Sequence, residues 1–512
     1  MTINNTVYAQ TVHVPVDHWA YDFVERMEAK GFLSALNNNI RPVSRKRFVD
    51  YIIELNNYYN THPDCFTSIE KRYFERLKGE FNNDLKDYRI TVKKEYSEPH
   101  FYSLIKNKNT HLFIDLLAGN TSRFLYYQNK FKKIHQPYYG AIFRGSYSNI
   151  HFYSDNRIYS EWGRNKYIQH YNASQGYPIN TTRDSTRATW DISKSYFCFN
   201  INNINFLFGR ANVQWGPSHS GSLLFSGLAP DFDQLRIIAT LEPFTFIWLH
   251  GSLRSDFSHK WISSHRLAIS LNDNIDIAFN ESVIYGERGL EVAYLNPVIP
   301  YLIAEHTLGD KDNVSLGFDF NINLFENLKI FGELLIDDLF APWELFSDYW
   351  GNKFAFNIGS FWIDPLKIDD SDVTLEYFRI EPYVYTHKNE VNVFENYNVG
   401  LGSFLQPNSD CIVLKYRKFL DSFFYYNIQY YYSRHGKGNR REPHTEADGE
   451  TKEFLSGVVE EYNKICAEIS GEIKQDCTVC FDIAYGKVNN YQNINNNIKK
   501  WWGIVFRIKI NW

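Results

Sequence analysis

The chain has 512 residues, a formal net charge of −5 and a mean hydropathy of −0.42, yet 17% of its residues are aromatic. It has no basic patch or long Lys/Arg run, so nucleic acid is excluded as a partner. No uninterrupted stretch approaches the roughly 18 to 20 apolar residues of a membrane-spanning helix. A high aromatic content combined with a negative mean hydropathy favours a large β-barrel that has aromatic girdles and a water-filled interior.

Residues 1–13 are interpreted as the remainder of a leader. Val7-Tyr8-Ala9 followed by Gln10 resembles the small-residue end of a signal-peptide cleavage site, although the basic and apolar regions that precede such a site are missing. We therefore expect that the given start lies inside a longer precursor.

Residues 14–87 show the apolar spacing of helices. Asp17 is predicted to cap the first helix, Pro42 and Ser44 announce the second, and a third is expected from about Ser68. The apolar positions at this spacing are Trp19, Phe23, Met27, Phe48, Ile52, Leu55, Ile69, Tyr73, Leu77 and Phe81. The pattern predicts a small α-helical domain, which we expect on the periplasmic side of the barrel.

The first two predicted helices resemble a single S-layer homology motif. The similarity lies in residues 17–21, 29–31 and 41–48, with Arg47 where the motif usually has Glu. Two interpretations follow from it: a helical cap packed against a barrel, or a module that binds peptidoglycan or another cell-wall polymer.

From about Tyr88 the apolar period changes from 3.6 to 2, so residues 88–512 are predicted to form the barrel. The clearest strand is 314–324, in which large apolar residues alternate with small or polar ones. Its polar face is predicted to line the lumen and includes Asp319, Asn321 and Asn323. A soluble sandwich would give the same alternation.

The end of the chain favours the membrane. Apolar residues alternate with others from Ile504 to Trp512, so the last strand has a continuous apolar face and an aromatic carboxy-terminal residue. This arrangement resembles the insertion signal of bacterial outer-membrane barrels. We therefore predict a mainly β fold, a large antiparallel transmembrane β-barrel with a small N-terminal helical domain.

Loop lengths support this fold, because such barrels have short periplasmic turns and longer outer loops. The short connections are 202–203, 242–243, 272–274 and 326–327, and the long ones between them are 211–234, 255–261 and 286–311. Counting back from Trp512 gives 487–500 as long, 470–472 as short and 434–453 as long. Between Phe404 and Ser433 the forward and backward counts differ in which connections they assign as short and which as long. This disagreement indicates that a strand is divided wrongly near Pro407 or Asp421.

A loop rich in Gly, Pro and Trp interrupts the strands between Phe206 and Asp233. Its distinctive positions are Gly209, Arg210, Trp215, Gly216, Pro217, Gly221, Ala229, Pro230 and Asp233. This pattern resembles the signature of the Wzi family of outer-membrane capsule assembly proteins, and the stretches 296–298, 304–306 and 331–338 are also similar to that family. The resemblance implies about eighteen strands, a plugged barrel in the bacterial outer membrane, and binding of exported capsular or related surface polysaccharide.

Within the signature, the chemistry suits sugar binding. The rings of Trp215, Phe225 and Phe232 offer flat apolar faces to pyranose C–H groups, and Arg210 can form bidentate bonds with a sugar carboxylate. Asp233 is a further candidate contact. The alternative is structural: Arg210 pairs with a lumenal carboxylate such as Glu333, and the Trp-Gly-Pro turn folds a plug into the barrel.

The main functional hypothesis is therefore a lectin-like outer-membrane protein that anchors or assembles polysaccharide, with polysaccharide and outer-membrane lipid as partners. One alternative is a diffusion porin for small polar solutes. Another is a lipid- or glycan-modifying enzyme that uses Ser218 and His219, although residues 216–220 lack the final Gly of a nucleophile elbow. We predict no catalytic residues, cofactor or metal site, and interpret the acids at 337–338 and 369–372 as solvated turn residues.

Overall fold

The computed structural model describes residues 12–34, 39–86, 88, 90–107, 109–127, 130–164, 179–182, 184–256, 259–421 and 423–512. Most of the predicted leader, residues 1–11, lies outside these ranges. No helix within them is long and apolar enough to cross a membrane.

Four helices form the N-terminal helical domain: α1 Ala20–Ala29, α2 Arg45–Thr61, α3 Ser68–Glu80 and α4 Asn82–Leu85. Ser44 caps α2 by accepting from the backbone N–H of Arg47, and Thr67 forms a capping box with Glu70 at the start of α3. The predicted Asp17 cap is wrong, because α1 begins after Trp19, whose side chain makes no cap bond. The apolar faces of α1, α2 and α3 bury one common core.

Within the described residues, eighteen antiparallel strands form a closed barrel, as predicted. They are β1 Thr110–Tyr127, β2 Lys130–Tyr147, β3 Ile150–Trp162, β4 Arg187–Ile201, β5 Ile204–Ala211, β6 Phe232–Leu241, β7 Phe244–Leu253, β8 Lys260–Asn272, β9 Ile275–Gly286, β10 Asn313–Phe325, β11 Leu328–Asp338, β12 Lys353–Ile363, β13 Ser371–Ile380, β14 Ser409–Phe419, β15 Phe424–His435, β16 Glu460–Lys474, β17 Cys477–Asn489 and β18 Lys499–Asn511. The barrel closes where β18 pairs with β1, with Arg507 opposite Thr121.

The remaining elements are short. A fifth α-helix, α5, spans Tyr301–Leu308. Short strands are Ile40–Arg41, Tyr102–Asn107, Asn180–Thr181, Gln214–Trp215, Phe225–Ser226, Glu395–Asn396 and Val399–Gly400. One-turn 3-10 helices are Pro63–Cys65, Lys94–Tyr96, Val292–Leu295, Pro342–Glu344, Pro365–Lys367, Glu390–Asn392, Glu446–Asp448 and Tyr491–Asn493.

The side-chain alternation matches the sequence prediction. On β10, Asp319 and Asn321 are buried towards the lumen, whereas Leu324 on the other face is exposed. Phe506 on β18 and Trp512 directly after it are exposed on the apolar face. Because apolar side chains that face outward in a closed barrel meet hydrocarbon, this face contacts lipid.

The connections alternate between short and long around the barrel, and the short ones identify the periplasmic end. β14 ends at Phe419 and β15 begins at Phe424, so the connection between them is short, whereas Pro407 lies in the long loop before β14. With this assignment, the forward and backward counts of short and long connections agree. The predicted turn at 470–472 is wrong by a few residues, because β16 continues to Lys474 and the turn lies at 475–476.

The helical domain packs against a short turn at one end of the barrel. The Arg26 side chain is buried, and its Nε donates to Glu70 Oε1 at 3.0 Å. Its two terminal nitrogens bind Asp364, at 2.6 Å, and Asp372, both beside the turn between β12 and β13. These acids are therefore ion-paired, so the prediction of solvated turn residues is wrong for Asp372, because α1 packs against this turn.

Candidate functional site

The loop between β5 and β6, residues 212–231, turns into the barrel and is called the lumenal loop below. Its strand Gln214–Trp215 pairs with Phe225–Ser226 on one side and with Ile40–Arg41 of the N-terminal segment on the other. The N–H of Gly216 also donates to Asn39 O at 2.8 Å. A loop from the outer end of the wall and a segment from the periplasmic end thus form one three-stranded sheet inside the lumen.

The three aromatic candidates are buried in this arrangement. Trp215 and Phe225 are each 1% exposed and meet edge to face, with ring centroids 5.0 Å apart. Phe232 is buried in the same core cluster, which also contains Tyr385 and Phe394. We predicted that these rings face a sugar. In the structure they face other protein atoms, because the loop turns inward where it pairs with residue 40.

Two lumenal carboxylates hold the loop in place. Glu333 accepts from the backbone N–H groups of Ser218, at 3.3 Å, and Leu223, at 2.6 Å. Glu376 accepts from Ser218 Oγ at 2.7 Å, from the N–H of His219 at 3.0 Å, and from the Ser220 hydroxyl. Buried carboxylates require such donors, and the loop's backbone supplies them.

The signature glycines allow this close approach. Gly216 has φ +127°, and a Cβ at this position would lie 2.6 Å from Glu333 Oε1 and 2.6 Å from Ser222 Oγ. Pro217 follows directly, and Gly221 also has a positive φ of +134°. At the neck of the loop, the side-chain amide of Asn212 donates to Gly227 O at 2.9 Å and to Ala229 O at 3.4 Å, and Pro230 O accepts from Asn396 at 2.8 Å.

Arg210 and Asp233 lie outside the lumen. Both side chains lie on the outward face of the wall, as the exposed Phe208 does. Arg210 Nε and Nη2 donate to the two Asp233 oxygens at 2.9 and 2.7 Å. Arg254 approaches the same carboxylate at 3.6 Å. The alternative prediction, in which Arg210 pairs with Glu333, is therefore wrong, because Glu333 faces the lumen. Gly209 precedes this pair with φ +136°, and its position leaves no room for a Cβ against Ser195 O.

Ser218 and His219 do not form a catalytic pair. Whereas Ser218 is held by Glu376, His219 Nε2 lies 3.2 Å from Glu25 of α1 and its ring stacks on Phe331. Burial alone would raise the pKa of Glu25, but His219 and Lys329 beside it hold this pKa well below its usual range. His219 thus links the lumenal loop to the helical domain.

The predicted polar face of β10 points inward as expected. Asp319 accepts from Arg266 at 2.5 and 2.9 Å, from Asn280 at 3.1 Å and from Asn39 at 2.6 Å. Asn321 is buried on the same face, and Asn323 is half-buried nearer the periplasmic end. Asp319 therefore anchors the N-terminal segment instead of lining an open channel.

The outer mouth carries aromatic and charged groups that sequence reasoning missed. In the outer loops, Trp350 stacks on His444 with centroids 3.8 Å apart, and Tyr383 meets His444 edge to face. Arg441 binds Glu395 at 2.5 Å and remains partly exposed. The signal in the sequence was the aromatic content of loop 339–352, which a search for motifs did not use.

The family model of capsule assembly protein Wzi matches residues 126–499, which is more than half of the chain. The chain belongs to the Wzi family of capsule assembly proteins. Family and closed barrel together place it in the bacterial outer membrane. A search of curated proteins found no match to the sequence.

The solved structure of one Wzi protein shares this fold. The Escherichia coli protein Wzi, described as an outer membrane carbohydrate-binding β-barrel involved in group 1 capsule assembly, is 13% identical with a TM-score of 0.61, and the match covers 97% of this chain and 99% of that one. Acinetobacter baumannii OccAB1 is 9% identical with a TM-score of 0.47, covering 78% and 96% of the two chains. Pseudomonas aeruginosa OprD is 11% identical with a TM-score of 0.46, covering 78% and 94%.

In this Wzi-family barrel, two clusters of possible metal ligands occur among the described residues. They are Glu305, His306 and Asp310, and Glu468, Cys480 and Asp482. Arg507 supplies the positive charge in the second cluster, at 2.8 Å from Glu468 and 2.7 Å from Asp482. In the first, Glu305 accepts from the N–H of Asp312 at 3.1 Å. Neither geometry favours a metal over these donors.

Proposed function

We propose that this protein binds exported capsular or related surface polysaccharide at the outer mouth of the barrel and helps to anchor or assemble it at the cell surface. The match of the Wzi family model over most of the barrel is the observation that carries the proposal. The protein would act by binding, without turnover. The separate partners of Ser218 and His219 support this part of the proposal.

The outer mouth is the proposed contact surface. The stacked Trp350 and His444 and the partly exposed Arg441 are groups that can pack against sugar rings and bind sugar carboxylates. Arg210 and Asp233 stay in the proposal as a partly exposed pair on the outer rim. Trp215, Phe225 and Phe232 would act indirectly, by holding the lumenal loop that supports the mouth.

The helical domain is proposed to close the periplasmic side of the barrel. Trp19, within the segment that resembles an S-layer homology motif, lies under the Arg76 guanidinium at 4.1 Å, and Arg76 pairs with Glu472 of β16. Because this part of the motif packs against the barrel, we favour a closing role over binding of peptidoglycan.

Binding of the purified protein to the surface polysaccharide of its own organism tests the proposal. We expect the double variant Trp350→Ala, His444→Ala to bind about tenfold more weakly, a loss of about 1.4 kcal/mol. The control is Trp362→Ala, which removes an exposed, lipid-facing tryptophan near the periplasmic end of β12. Absence of binding by the wild-type protein, together with unchanged capsule retention after gene deletion, would overturn the function. Equal binding by the two variants would show that the polysaccharide contacts other residues of the protein.

A further inference from the structure

The long loop between β9 and β10 lies on the outside of the barrel. Alternate residues of β9 face outward, and Phe279 near the middle of the strand is 52% exposed, as a lipid-facing residue should be. Further along the same face, Glu281 is 7% exposed and Val283 and Tyr285 are fully buried. Residues 287–312, which contain α5, cover them and are called the outer cap below.

Specific bonds hold the outer cap against the wall. The indole of Trp248 on β7 donates to the Tyr301 hydroxyl at 3.1 Å, and the His265 ring stacks on Tyr301 with centroids 4.5 Å apart. Glu281 accepts from the backbone N–H of Leu302 at 2.8 Å and pairs with His265 at 2.8 Å. The polar groups beneath the cap are thus matched to one another, and the cap has a defined position.

Between the outer cap and the wall lies an apolar groove of about 790 Å³. This volume falls within the range of about 300–1,000 Å³ that is usual for sites that bind small ligands. Its walls include Phe246, Leu267, Phe279 and Phe318 from the strands and Leu302 and Ile303 from the cap. The polar part of the lining consists of Asn280 and the pair His265 and Glu281, whose side chains lie 2.8 Å apart.

The surroundings of the groove identify its occupant. Its strand walls continue the outward-facing row of exposed apolar residues, so the groove opens onto the hydrocarbon of the membrane. On the cap, Val298 is 76% and Ile303 is 59% exposed, which suits contact with lipid. Because the cap follows the outer end of β9, it lies at the level of the outer leaflet, which consists of lipid A in the membranes that hold such barrels.

We propose that the groove beneath the outer cap binds one fatty acyl chain of an outer-leaflet lipid A molecule. The acyl chain would pack between the cap and the aromatic residues of the wall, burying apolar area on both sides. This site is separate from the outer mouth, so the proposal does not depend on polysaccharide binding.

The test measures how many lipid A molecules the full-length protein retains, by native mass spectrometry, after transfer from nanodiscs that contain phospholipid and lipid A. We expect the wild-type protein to retain one lipid A. The double variant Val298→Ser, Ile303→Ser should bind it about tenfold more weakly, because two apolar contacts are lost.

The matched control is the double variant Ile358→Ser, Leu375→Ser, which changes two lipid-facing residues, 51% and 47% exposed, outside the groove. It should retain lipid A as the wild-type protein does. Heat-modifiable migration on gels verifies that every variant is a closed barrel. Equal loss in both variants, or retention of phospholipid in place of lipid A by the wild-type protein, would overturn the proposal.

Discussion

The guanidinium of Arg26 joins the helical domain to the barrel through three carboxylates. Glu70 belongs to the helical domain, whereas Asp364 and Asp372 belong to the wall and its periplasmic turn. Because the site is buried, all three carboxylates rely on this one arginine to compensate their charge. The residue therefore controls the attachment of a whole domain.

Replacing Arg26 with Ala is expected to weaken this attachment by about 3–5 kcal/mol, since it leaves buried carboxylates without their cation. Limited trypsin digestion of the purified protein should then cleave within the helical domain faster than in the wild-type protein. The exposed arginine of the same domain, Arg72, provides the control as Arg72→Ala. Equal cleavage rates for the two variants would contradict the role assigned to Arg26.

Among the elements, the lumenal loop depends on one of its glycines for its conformation. Gly216→Ala should destabilise the barrel, because the new Cβ would overlap Glu333 Oε1 in a backbone conformation that L-residues rarely adopt. We expect a loss of about 1–3 kcal/mol, the usual cost of overpacking. It should appear as a lower temperature at which the unboiled band converts to the unfolded form on gels.

Gly438→Ala is a matched control for this prediction. Gly438 also has a positive φ, +110°, but no atom lies within 4 Å of the added Cβ. If both variants shifted the transition equally, backbone strain alone would explain the effect and the contact with Glu333 would be unimportant.

Strands were predictable from the sequence because alternation reports directly on which side of a wall each residue lies. Glu376 could have been found in this way, since it alternates with Val373 and Leu375 on β13. The outer cap could not be predicted in this way. Glu281 interrupts the outward-facing apolar residues of β9 because it binds Leu302 of the cap, which is distant in the sequence. The inward turn of the lumenal loop was likewise hidden, since its partner at residue 40 precedes the barrel.

For the whole molecule, the occupied lumen argues against the diffusion porin. The lumenal loop and residues 381–408 form a buried cluster with the inner face of the barrel wall, and the helical domain forms a second cluster. In planar bilayers we therefore expect no large open current from the wild-type protein. A variant in which a short Gly-Ser linker replaces residues 213–229 should show a higher residual current than the wild-type protein, because it lacks one of the segments that fill the lumen.

Shortening the outer loop 437–455 to a similar length is the control for this experiment, and it should leave the current low. A large steady current through the wild-type barrel would instead favour the porin. Comparable currents from both shortened variants would show that the outer loops, and not the lumenal loop, limit conduction.

The three-stranded sheet inside the lumen has a mechanical consequence. One of its strands enters from the periplasmic end and the other two descend from the outer end, and backbone hydrogen bonds join them. A displacement of the mouth, such as a load on an attached polymer, is therefore transmitted along a stiff path to the helices beneath the membrane. The sheet thus joins the mouth to the helical domain by a path that does not run through the barrel wall.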